Sequence, residues 1–78
     1  MDEKTFYMLV GFNIKIYRHI YNATIGDMKQ KDLAKKAGVS TATIGALESN
    51  NINHGVSMYN LYKIAKALEV PIDKFFVD

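Results

Sequence analysis

The sequence predicts an all-helical domain of five short helices around one core, and three observations predict it. Apolar residues recur at three- and four-residue spacing along most of the chain. Glycines and the single proline fall where such runs should stop. No stretch of useful length alternates with period two, so no sheet is expected. The length of 78 residues allows one domain over 1–78 and no second core. A domain of this size buries only about 60% of its unfolded surface, so association is a common route to added stability.

Helices are expected over about 4–22, 29–37, 41–49, 57–68 and 72–76. In the first, Phe6, Val10, Ile14, Tyr17 and Tyr21 form one apolar stripe. Asn22 to Asp27 breaks that pattern and reads as a loop. The second helix turns Leu33, Ala34 and Ala37 inward, and Gly38 follows where a left-handed residue ends a helix. Ser40 is placed to cap the third helix, whose inward pair is Ile44 and Leu47. A polar loop rich in asparagine runs from Ser49 to Gly55. Ser57 caps the fourth helix, which keeps Leu61, Ile64, Ala65 and Leu68 on the core side. Val70 and Pro71 end it, and Ile72 to Phe76 forms a last turn or two.

The composition excludes several functions. There is no cysteine, so disulfides, thiolate metal sites and a cysteine nucleophile are absent together. The apolar run Phe6 to Val10 is far shorter than the roughly 20 residues that span a bilayer. Asp2 and Glu3 open the chain where a signal peptide would be basic, and a cytoplasmic protein is expected. His19 and His54 lie far apart, no helix carries two metal ligands at i, i+4, and no glycine-rich phosphate cradle follows a strand. The expectation is a protein that is not an enzyme and uses no metal and no cofactor.

Charge is distributed unevenly. Residues 13–66 carry eight basic and three acidic side chains, a net of +5, while the two ends carry two basic and five acidic, a net of −3. A basic middle suits a surface that faces phosphate, and it also suits a solvated helical surface rich in lysine. The spacing of the second and third helices favours the former. Two short helices joined by Gly38-Val39-Ser40 can cross steeply, with Ala34 at the crossing, and project the start of the third helix toward a major groove.

Gln30 to Ser40, followed by Thr43-Ile44 and Leu47-Glu48, resembles the phage Cro/repressor (XRE-type) helix-turn-helix family. Asn13 to Arg18 is similar to that family's first helix, and Leu61 to Val70 with Asp73 to Phe76 is similar to its ending. The resemblance covers about residues 12–76 and implies a five-helix lambda-repressor-like fold. It implies a DNA-binding transcriptional regulator, a repressor by preference, that binds a pseudo-palindromic operator in double-stranded DNA as a homodimer. Base-facing positions fall on Thr41, Ala42, Gly45 and Ala46. Gln30 matches a glutamine that meets phosphate, and Arg18 matches an arginine that pairs with Glu48 and stands near phosphate. Asn50, Asn51 and Asn53 fall on phosphate-contacting positions after the recognition helix. Phe76 and Val77 are the expected dimer contacts.

The chain departs from the family at the base-facing positions, at Lys29, and in a longer loop before the second helix, where Ile25 is placed to pack on a partner. Thr, Ala, Gly and Ala make a thin base readout, because bidentate side chains discriminate base pairs by about 1–3 kcal/mol each. Gly45 costs a helix about 1 kcal/mol relative to alanine. Lys29 stands at the cap of the second helix against the dipole, where it is placed to reach phosphate, as is Lys31. The backbone grip would come from Arg18, Lys29, Lys31 and Lys35 or Lys36. A second reading therefore stays open: a protein-interaction module on the same fold, such as an antitoxin or accessory regulator with weak DNA binding. Its partner would meet whichever of Phe6, Tyr7, Phe12, Tyr59, Tyr62, Phe75 and Phe76 the core does not take, or the N-terminal segment Met1 to Tyr7.

Overall fold

The first helix, α1, runs Glu3–Thr24 and starts because Asp2 takes an extended conformation and accepts the Thr5 amide at 2.7 Å. That bond holds the Asp2 carboxyl below its ordinary range. The helix continues through Thr24, two residues beyond the expected end, because Thr24 Oγ1 and the Ile25 and Gly26 amides find carbonyls of the preceding turn. The computed structural model describes residues 1–50 and 56–78. Four α-helices and one 3₁₀ helix make up the described residues, and no strand is among them.

Helix α2 spans Gln30–Ala37. Lys29 precedes it without a side-chain cap, and the Asp32 carboxylate accepts the Lys29 amide at 2.9 Å. An acid in the first turn therefore meets the positive end of the helix, and no outside anion is needed to offset Lys29. Gly38 adopts φ 74° and closes α2, with the Gly38 and Val39 amides both turned onto the Ala34 carbonyl. Ser40 then caps α3, Thr41–Glu48, by accepting the Thr43 amide at 3.1 Å. Helix α4, Met58–Ala67, is capped in the same way by Ser57 through the Asn60 amide.

The expected fifth helix is a 3₁₀ helix, Ile72–Phe76. Five residues after Pro71 are too few for a run of i→i−4 bonds, and the turn closes through the Lys74 amide to the Pro71 carbonyl. Its one buried side chain is Phe75. The core gathers Val10, Ile14, Leu33, Ile44, Leu47, Leu61, Ile64 and Phe75, with Met28 closing it from the loop before α2. Full burial of such side chains stabilises by about 1.5–3 kcal/mol each.

Candidate nucleic-acid interface

Helix α3 is short, so what fixes its direction is its two neighbours. Toward α2 it is fastened by the Gly-Val-Ser turn and by the burial of Ile44 in the same apolar core as Leu33 and Ala34. Toward α1 the contact is closer. A Cβ built on Gly11 would overlap the Leu47 carbonyl oxygen, so the bare backbone of α1 lies against the last turn of α3.

A buried ionic cluster joins the same helices. Arg18 Nε donates to Glu48 Oε2 at 2.7 Å and Arg18 Nη2 to Glu48 Oε1 at 2.9 Å, a bidentate pair. Arg18 Nη1 donates to the Met28 carbonyl at 3.1 Å, and Gln30 Nε2 donates to Glu48 Oε1 at 3.1 Å. The side chains of Arg18 and Glu48 are 11% and 3% exposed. One carboxylate thus ties α1, α2 and α3 together. The outward phosphate role expected for Arg18 gives way to this internal one, since its donors are directed inside. Gln30, expected at phosphate, is half-buried and also turned toward Glu48.

The remaining sequence-derived positions lie mainly at the surface. Thr41 and Ala42 are exposed at the start of α3, and Gly45 and Ala46 are half-buried one turn on. Thr43 is bound back to Ser40 through both its amide and its hydroxyl. Lys29, Lys31 and Lys35 are exposed along α2. Lys36 is drawn away: its ammonium donates to the Tyr21 hydroxyl at 2.7 Å and lies 3.7 Å from Glu69. The Tyr21 bond raises the Lys36 pKa above its ordinary value. Asn50 is exposed with φ 60°, while Asn51 and Asn53, with His54, lie outside the described residues.

Of the expected dimer residues, Val77 is exposed, but Phe76 is half-buried and stacks on Phe6 with ring centroids 5.6 Å apart. Sequence reasoning missed two supporting residues. One is Gly11. The other is Asn13, whose buried amide donates to the Phe75 and Val77 carbonyls at 2.9 Å each and fastens the C-terminal segment to α1. Sequence reasoning named Phe12 among the aromatics that could meet a partner but not the row it forms with Ile16 and Ile20, exposed on the outside of α1, although the i, i+4 spacing is visible in the sequence.

Two helices joined by a three-residue turn, with the start of the second open to solvent and exposed lysines on and before the first, form a helix-turn-helix of the kind that binds DNA. Comparison with known proteins gives the particular family. The sequence profile described as helix-turn-helix matches residues 26–75. An uncharacterised HTH-type transcriptional regulator of Methanocaldococcus jannaschii is 39% identical over 64 residues, covering 82% of this chain and 86% of the relative. The chain belongs to the XRE-type helix-turn-helix family of DNA-binding transcriptional regulators. The crystal structure of the hypothetical transcription factor NHTF from Neisseria shares the fold, with a TM-score of 0.80 at 22% identity, over 99% of this chain and 80% of that one. No helix among the described residues is long and apolar enough to cross a membrane.

Proposed function

We propose that this regulator is a cytoplasmic repressor that binds a pseudo-palindromic operator as a homodimer. Thr41, Ala42, Gly45 and Ala46 meet base edges, and Lys29, Lys31 and Lys35, with Asn50, Asn51 and Asn53, meet the sugar-phosphate backbone. The observation that carries this reading is the open N-terminal end of α3: Thr41 and Ala42 are exposed, and one turn on Gly45 lies against Gln30 at the start of α2. Repression asks for no more than occupancy of the operator. A small, largely apolar reading face fits thymine methyl contacts and leaves a share of specificity to DNA shape. Gln30 and Arg18 contribute by holding α3 in place through Glu48.

Selection of bound duplexes from a random library tests the proposal, with affinity of the winners measured at several salt concentrations. The expected result is a two-fold symmetric site and a log–log salt slope of about −5, for three lysines from each of two copies. Lys31→Ala should weaken binding to all sequences alike and flatten that slope by about 2. Salt-sensitive binding with no enriched sequence would reduce the chain to a non-specific DNA binder. Absence of binding at low salt would remove the reading and favour the protein-interaction module, which the exposed apolar side chains of α1 also suit.

A further inference from the structure

Helix α1 is apolar on two faces. One face, with Val10, Ile14 and Tyr17, enters the core. On the opposite face Met8, Phe12, Ile16 and Ile20 follow one another at four-residue intervals and are 43%, 60%, 37% and 49% exposed. Two shallow grooves flank this ridge. The groove on the α3 side is lined by Lys15, His19, Glu48 and Asn50. The groove on the other side is lined by Tyr17, Lys74, Val77 and Asp78, with Val77 54% exposed.

We infer that this ridge is the surface on which a second copy of the chain docks, α1 against α1 in antiparallel sense. The inference deepens the homodimer reading above and rests on it. Three arguments select a second copy. First, Met8, Phe12, Ile16, Ile20 and Val77 are each between 37% and 60% exposed, and a two-fold pairing covers every one of them twice, which is how a small ridge approaches the about 1,000 Å² a specific interface needs. Second, a row at i, i+4 spacing is complementary to itself. Two such rows interdigitate at a crossing angle of about −50°, with Phe12 of each copy beside Ile16 of the other.

Third, the symmetry suits a shared duplex. A two-fold axis normal to a pair of antiparallel helices keeps corresponding flanks on the same side. The α1–α3 groove of both copies therefore lies on one face of the dimer, and both recognition helices are offered to one side of the DNA. Lys15 lines that groove, so this pairing brings its two copies near the axis on the same face as the recognition helices. On the other flank Lys74 and Asp78 are of opposite sign, so the approach of two copies there is not one of like charges.

The test is sedimentation velocity of the full chain from low-micromolar to near-millimolar concentration, without DNA, for wild type, Phe12→Asp, Ile16→Asp and Met58→Asp. Wild type and Met58→Asp, whose exposed apolar residue lies on α4 away from the ridge, should be dimers. Each α1 variant places two carboxylates in the contact by symmetry and should weaken association at least about a hundredfold. Far-UV circular dichroism and thermal melting at high concentration separate this from misfolding, since both substituted side chains are exposed in the monomer. Conservative Phe12→Leu should remain a dimer. Dimeric Phe12→Asp and Ile16→Asp proteins would overturn the assignment, as would a wild type that stays monomeric throughout. If the ridge fails while library selection still yields a symmetric site, the operator reading stands and the dimer closes elsewhere. If selection yields no symmetric site, the operator reading fails whatever the ridge does.

Discussion

Helix α3 is held by α2 on one side and by α1 on the other, and the two attachments are of different kinds. The α2 side is a local device: a left-handed glycine, a serine cap and interlocked apolar side chains, all within a dozen residues. The α1 side depends on particular atoms far apart in sequence, a backbone carbonyl against a bare Cα and a buried carboxylate against a guanidinium. Apolar packing accepts exchange of similar volumes, whereas a buried charge left without its partner is costly. The same short helix thus has one forgiving attachment and one exacting attachment.

Arg18→Ala should expose that difference most. It leaves the Glu48 carboxylate buried with Gln30 as its remaining side-chain donor and should cost about 3–5 kcal/mol in urea unfolding. Combining Arg18→Met with Glu48→Gln should recover a large part, because neither residue then carries a buried charge. A loss below about 1 kcal/mol for Arg18→Ala would place the pair among exposed ion pairs and remove the contrast. Gly11→Ala comes next. Alanine favours a helix by about 1 kcal/mol over glycine, yet here the methyl overlaps the Leu47 carbonyl, so a net loss of about 1–3 kcal/mol is expected from the same unfolding curves.

The smallest effect has the opposite sign. A Cβ on Gly45 would lie 3.6 Å from Gln30 Oε1, an ordinary contact, so Gly45→Ala should raise stability by up to about 1 kcal/mol. Operator affinity of that variant then says why glycine is there. A more stable protein with unchanged affinity makes the glycine incidental, and a more stable protein that binds less tightly shows that DNA comes close to this position.

The contrast also explains what could be read from the sequence. Gly38, Ser40 and Ser57 announce themselves because turn and cap chemistry is satisfied within a few residues, and the helix boundaries differ from expectation by one or two residues. Arg18 and Glu48 came as a pair through family resemblance, but the inward direction of the guanidinium depends on Met28 and Gln30 around it. Gly11 carried no signal in the sequence, since its reason is a backbone atom 36 positions later. Asn13 was equally opaque: its partners are carbonyls 62 and 64 residues away, and a carbonyl carries no sequence signal. The outer ridge of α1 is written at i, i+4 spacing, but a helix with two apolar stripes does not say by pattern alone which one enters the core. The charge pattern marked the lysines of α2 but did not reveal that Lys36 is tethered to Tyr21.

The Asn13 clamp has a consequence for the order of synthesis. Helix α1 is made well before the carbonyls that Asn13 takes, which belong to residues 75 and 77. A nascent chain therefore carries α1 through almost the whole of translation without its closing latch. During that interval α3 can close on α1 through Gly11 and Arg18, but the C-terminal segment cannot, so a contact made by this helix is the last of the fold to form.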